Sequence, residues 1–369
     1  MKFLAVALGL SLVMTLQTSL RFAAGIGIGE IGLLLSSSLT ILLRLVANPG
    51  WKMQGSSNYV FGFWAFLFII LAPVTVISFL NFLPGSSLRD LVAFVFSGMV
   101  ILAVIANQKH LMVSCKTIIY ALPLVIVFSY FFGGASSWYE ELRFTAGAIN
   151  PNQFALYLIV AQLLTIIAIE RKFVLLGLNI FFLYFGLRSG SDAYLLSLAA
   201  TLSIGCFLYV FKYKHLNLLF PVLFFVFALV MLFVLVFLLG AISEEWVQAD
   251  EGGGRLSLFR HGFEAWLHSP LSILFGNGAG SFSGIERSFD VAEAHSTIID
   301  SLTIGGPLLL WITYRPFFQF MWQSYLQDRP FAVGFVVALI VFLMFLQYTV
   351  VSQNATSYSI GKTYKIKSK

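Results

Sequence analysis

The chain has 369 residues, of which 59% are hydrophobic, 16% aromatic and only 10% charged, and its mean hydropathy is +0.91. Soluble domains carry about 25% charged residues, so a water-soluble globule is excluded. The 39 Phe against 22 basic and 16 acidic residues require a surface that faces hydrocarbon over most of its area. The net charge of +6 then reflects cytoplasmic loops rich in Lys and Arg, not nucleic-acid binding.

A spanning helix needs roughly 20 mostly apolar residues, and such segments follow one another near 3–20, 31–47, 59–82, 88–106, 117–132, 152–169, 173–187, 192–211, 216–240, 296–312 and 331–351. Runs such as Leu216 to Gly240 lack the polar alternation of a porin strand. The expected fold is therefore all-α: a polytopic integral membrane bundle with about 11 (10–12) transmembrane helices. The first segment, after Lys2, resembles a signal peptide, but no small-x-small cleavage site closes it and it reads as a span. Within 1–240, Gly27, Gly29 and Gly32 match GxGxxG; with no strand before them they read as close helix packing. Cys115 and Cys206 both lie in apolar stretches, which excludes a disulfide framework and a Cys-based zinc site.

Orientation follows from the lysines. With the N-terminus in the cytoplasm, Lys2, Lys52, Lys109, Lys116, Lys172, Lys212 and Lys214 share the cytoplasmic side. Arg21, Arg89, Arg143, Arg188, Arg255, Arg260 and Arg287 fall on the outer side, where translocated Arg works against the positive-inside tendency and suggests a task. The tail, with Lys362, Lys365, Lys367 and Lys369, would be external after eleven crossings; either one span is miscounted or 347–360 re-enters.

Three regions result: a transmembrane bundle over 1–240 with about nine spans, a large outer loop over 241–295, and final spans with a basic tail over 296–369. The loop carries Glu244, Glu245, Asp250, Glu251, Glu264, Glu286, Asp290 and Glu293, half the acids of the chain, and three of its five histidines. Leu256, Phe259, Phe263, Trp266 and Leu267 recur at helical spacing, which predicts an amphipathic helix with Arg260, His261 and Glu264 on its polar face, ended by Pro270. It is expected at the membrane surface or across the mouth of the bundle. Gly276, Gly278 and Gly280 form a GxGxG turn that reads either as a loop needing positive φ or as a backbone nest for a phosphate. His261 and His268 have no third ligand at metal spacing.

The order Gly254-Arg255, His268-Ser269-Pro270, Phe275 to Phe282, Ala294-His295-Ser296 and Gly305-Gly306 resembles the signature of the O-antigen ligase and O-antigen polymerase superfamily of bacterial envelope glycosyltransferases. Asn150-Pro151-Asn152 resembles that family's Asn-Pro-Asn element, and Ser189-Gly190-Ser191 its Ser-Gly-Ser-Arg element. The likeness covers roughly 145–310. One departure stands out: Asp192 follows Ser191 where the family usually has Arg. Arg188, four residues earlier, either presents its guanidinium to the same surface or pairs with Asp192 as an i,i+4 neighbour.

The resemblance implies a multi-pass protein of the bacterial inner membrane with its active site and its large loop facing the periplasm. It implies transfer or polymerisation of a glycan from an undecaprenyl-diphosphate donor onto a sugar hydroxyl of a glycan or lipid A core, without a metal or other cofactor. Membrane lipids and other polysaccharide assembly proteins are the further partners it implies. The leaving diphosphate needs cations, and Arg holds phosphate oxygens bidentately while staying charged; Arg255, then Arg188, then Arg260 are the candidates. His295 suits the general base, since neutral imidazole accepts a proton near neutral pH and a helix start favours the neutral form. His261 and Glu264 are candidates for acceptor binding. The rival reading is a transporter or lipid-linked oligosaccharide flippase without bond chemistry. Such a protein would show inverted repeats and mid-membrane charges; no repeat is evident, and charges within spans are few (Glu30, Arg44, Asp300).

Overall fold

The computed structural model describes residues 1–17, 27–48, 57–81, 84–139, 142–148, 150–213, 262–279 and 297–344. The ninth expected span (216–240), most of the 241–295 loop and the tail after 344 lie outside the described residues. The described chain is mostly helical: α1 (Lys2–Met14), α2 (Ile28–Ala47), α3 (Ser57–Phe66), α4 (Ala72–Asn81), α5 (Pro84–Ala106), α6 (Leu111–Phe132), α7 (Pro151–Ala168), α8 (Lys172–Arg188), α9 (Asp192–Tyr213), α10 (Pro270–Phe275), α11 (Thr297–Leu326) and α12 (Pro330–Met344). A two-stranded antiparallel ladder, β1 (Trp138–Tyr139) with β2 (Arg143–Phe144), is the one sheet among the described residues.

Five described helices are long and apolar enough to cross a membrane: Ile28–Ala47, Tyr59–Ile77, Gln108–Phe132, Pro151–Ala168 and Thr297–Leu326. Lys2–Met14, Leu91–Ala106, Ala193–Tyr209 and Pro330–Ile340 are apolar but shorter. Their outer surfaces expose Phe61, Phe68, Ile69, Phe128 and Phe132, compatible with a multi-pass membrane protein.

Local chemistry sets the irregularities. A π-helical turn, Leu67–Leu71, joins α3 to α4. Pro73 has no N–H to offer Ile69 and its ring would crowd that carbonyl, so widening the helix just before it relieves both problems. The expected span 296–312 differs more: α11 runs on to Leu326 but breaks at Gly305 (φ −139°, ψ 16°) and Gly306 (φ 65°, ψ −167°). Pro307 cannot donate to the Thr303 carbonyl four residues back, and the left-handed φ of Gly306 is open to glycine at no steric cost.

Small residues bring the helices close, as interfaces without a hydrophobic driving force require. Gly29 and Gly32 of α2 lie against Thr15 and Ser11 beside α1, so these two glycines of the GxGxxG string act in packing. The Ser114 hydroxyl donates to the Ala5 carbonyl (2.8 Å) and ties α6 to α1. Antiparallel α9 and α12 meet through Gly205 under Phe331 and Gly334 on Thr201, with the Ser197 hydroxyl donating to the Ala338 carbonyl at 3.2 Å. Tyr194, fully buried, fills the space left by Gly186, and its hydroxyl donates to Gln162 Oε1 (3.1 Å), locking α9, α8 and α7 together. One core joins α1, α6, α7, α8, α9 and α12 around Phe144, Phe154 and Phe182. A second joins α3, the π turn and α11 through Phe66, Leu71 and Leu309.

Candidate functional site

At one end of the bundle, the segment after α6 folds back over the starts of α7 and α9. Asn150 caps α7, its side-chain oxygen accepting from the Gln153 N–H at 2.8 Å, and Pro151 occupies the first turn where a missing donor costs nothing. Asn152 is thereby set on the first turn, facing the α8–α9 connection.

That connection is Ser189-Gly190-Ser191, with Gly190 at φ 58°. The turn is knitted internally: the buried Ser189 hydroxyl donates to the Gly186 carbonyl (2.6 Å) and accepts from the Ser191 N–H (3.3 Å). The Ser191 hydroxyl, also buried, donates to Asn152 Oδ1 at 2.7 Å. The two upstream elements that carry the family resemblance are thus in direct contact.

The α8–α9 turn corrects one expectation. Arg188 is the last residue of α8 and Asp192 the first of α9. The interposed left-handed glycine means that the two do not share a helix, so the i,i+4 geometry does not apply. The Arg188 guanidinium is exposed and turns back along α8, with Nε donating to the Tyr184 hydroxyl at 3.4 Å and Cζ 5.9 Å from that ring's centre. The Asp192 side chain lies outside the described residues.

Arg143, one of the outer arginines but not one of the phosphate-binding candidates, holds this turn. Its Nε donates to the Ser189 carbonyl (3.1 Å) and its Nη2 to the Gly190 carbonyl (2.6 Å), so a planar fork spans two successive carbonyls of the turn. The neighbouring Phe144 is fully buried among Tyr130, Trp138, Phe154 and Phe185 and anchors β2 beneath it. No sequence signal announces a partner 46 positions away. The following turn is held as well: Ala146 adopts φ 50°, which a non-glycine residue rarely does, and Gln17 Nε2 donates to its carbonyl at 2.7 Å.

The second described part of the region is 262–279. A helical stretch covers 262–267 and ends there. That helix stops ahead of Pro270, which in turn opens α10, capped by Ser269 in a reciprocal capping box with Ser272. Asn277 Nδ2 donates to the Ala265 carbonyl (3.0 Å) and Trp266 Nε1 to the Ile273 carbonyl (3.1 Å), closing the two helices on each other. Gly276 and Gly278 have positive φ (71° and 91°). The N–H groups of Gly276, Asn277, Gly278 and Ala279 donate in turn to the carbonyls of Ser272, Thr303 and Ile304 and to the Thr75 hydroxyl. With these four donors engaged inside the protein, 276–279 is a packed turn and its N–H groups are not offered to a phosphate; Gly280, the last glycine of the string, lies outside the described residues.

Among the expected site residues, then, Arg188 is at the surface beside the Ser-Gly-Ser turn, and Glu264 is exposed on the 262–267 helix. Arg255, Arg260, His261 and His295 lie outside the described residues. Among the described residues no three His, Cys, Asp or Glu side chains gather in a metal-binding arrangement. The chain matches no protein-family model, and no curated protein matches it.

Proposed function

We propose that the chain is a bacterial inner-membrane glycosyltransferase that attaches or polymerises lipid-linked surface polysaccharide, crossing the membrane about eleven times with its 241–295 loop in the periplasm. The observation that carries this reading is the Ser191–Asn152 hydrogen bond. It makes the Asn-Pro-Asn and Ser-Gly-Ser elements one unit at one end of the bundle, with the Arg188 guanidinium exposed beside it.

In this reading the donor's polyprenyl chain stays in the bilayer while its diphosphate meets guanidinium groups at the headgroup level. Arg255, Arg188 and Arg260 stabilise the charge that develops as the bond between the anomeric carbon and the diphosphate oxygen breaks. His295 takes the proton of the acceptor hydroxyl as its oxygen bonds to the anomeric carbon. His261 and Glu264 hold the acceptor sugar.

The test is the envelope glycan profile of a strain deleted for the chain. Collapse of the glycan ladder to one repeat identifies a polymerase, and free lipid-linked chains of full length identify a ligase. A profile identical to that of the parent strain overturns the proposal.

A further inference from the structure

The 262–279 segment packs against two spanning helices. A Cβ on Gly306 would stand 2.3 Å from the Leu274 carbonyl oxygen, and one on Gly276 would stand 2.4 Å from the Gly305 nitrogen, so the end of α10 is pressed onto the break in α11. Gly305 lies in turn against Phe66, near the middle of the Tyr59–Ile77 spanning helix. Gly278 and Ala279 then meet Thr75, which lies about 13 Å further along that helix at 1.5 Å per residue. Gly276 and Gly278 both meet Ile304, so residues 274–279 pack between Phe66 and Thr75, alongside the Tyr59–Ile77 and Thr297–Leu326 spanning helices and within their length.

Irregular backbone at such depth is tolerated only where its polar groups are satisfied inside the protein, and here they are. Asn277 and Gly278 donate to the Thr303 and Ile304 carbonyls (2.6 and 3.0 Å) that the break in α11 leaves without helical partners, and Ala279 donates to Thr75 Oγ1 (2.9 Å). Whereas the exposed Glu264 and His268 precede α10, the side chains that it turns outward are apolar: Leu271 is 69% exposed, Leu274 58% and Phe275 39%. They continue the exposed apolar surface of the adjoining span, which ends in Val76 and Ile77. Water would meet this ridge at a cost of about 25 cal/mol per Å², whereas lipid chains meet it at none.

We propose that residues 262–279 form a re-entrant helical hairpin whose Leu271, Leu274 and Phe275 lie against the hydrocarbon chains of the membrane lipids. Of the residues that the enzymatic reading uses, only Glu264 lies in this segment, and the ridge of Leu271, Leu274 and Phe275 does not include it. It is tested on the full chain, reconstituted in bilayers with Cys115 and Cys206 replaced by Ala, by attaching a nitroxide at Leu271→Cys and, separately, at Leu274→Cys. Molecular oxygen, which partitions into hydrocarbon, is expected to relax both labels, while a water-soluble nickel chelate leaves them unaffected; a label at Ser136→Cys, in an exposed turn, shows the reverse. Relaxation of the hairpin labels by nickel places the segment in water and overturns the proposal. Insensitivity to both reagents means that protein covers the ridge, and overturns it equally. Both substituted side chains are exposed, so neither replacement removes core packing.

Discussion

The Ser191 hydroxyl donates to Asn152 Oδ1 at 2.7 Å across 39 positions of sequence. This single bond fixes the start of α9 to the start of α7. Because Ser191 is buried, deleting either partner leaves the other polar group without its mate, which costs about 1–3 kcal/mol. Ser191→Ala and Asn152→Ala are each expected to lower the thermal stability of the purified protein. The double variant should lose less than the sum of the two, and additive losses in the double-mutant cycle would show that the contact carries no coupling energy.

Arg143 holds the same turn from the other side. Its fork reaches two carbonyls at once, which a lysine ammonium on a single stem does not reproduce. Arg143→Ala is expected to destabilise the protein by about 1–3 kcal/mol, and Arg143→Lys to recover only part of that. Full recovery by Lys, read from thermal unfolding in detergent, would mean that a positive charge alone suffices.

The break in α11 depends on Gly306. At φ 65° and ψ −167°, with a carbonyl oxygen 2.3 Å from the position a Cβ would take, Gly306→Ala combines a backbone penalty of about 1–3 kcal/mol with a clash against backbone. The expected outcome is a loss of more than about 3 kcal/mol, seen as strongly reduced yield of folded protein. Normal yield and stability would show that the break is not needed to seat α10.

Arg188 ends one helix and meets Tyr184, with Tyr130 close by. Tyr184→Phe removes a long, exposed hydrogen bond and is expected to change stability by less than about 0.5 kcal/mol. Arg188→Ala should keep the fold and lower glycan transfer, and Asp192→Ala should leave transfer intact. Equal loss in the Arg188 and Asp192 variants would favour pairing over a phosphate role.

For the proposed chemistry, His295→Ala is expected to abolish glycan transfer at unchanged protein level and membrane insertion. Arg255→Lys should be nearly as harmful as Arg255→Ala, because the bidentate geometry is lost. Normal ladders on envelope glycan gels from the His295 variant would remove the base assignment, and full activity of the lysine variant would reduce Arg255 to a charge.

What the sequence determined alone was local. Hydropathy and length placed α2, α7, α8 and α9 within three residues of their observed bounds, because a bilayer accepts little other than apolar helices of that length. It also supplied the two motif elements that meet at Asn152 and Ser191, but not their meeting. Tertiary structure alone decided the rest, because hydrogen-bond partners of irregular backbone are chosen by proximity, which hydropathy does not encode. The Ala279 N–H finds the Thr75 hydroxyl 204 positions away, and the carbonyls freed ahead of Pro307 find Asn277 and Gly278. For the same reason Arg143, unremarkable as a letter among outer arginines, became the clamp of the α8–α9 turn. Arg188 and Asp192, one helical turn apart on paper, stand on two different helices because a left-handed glycine separates them.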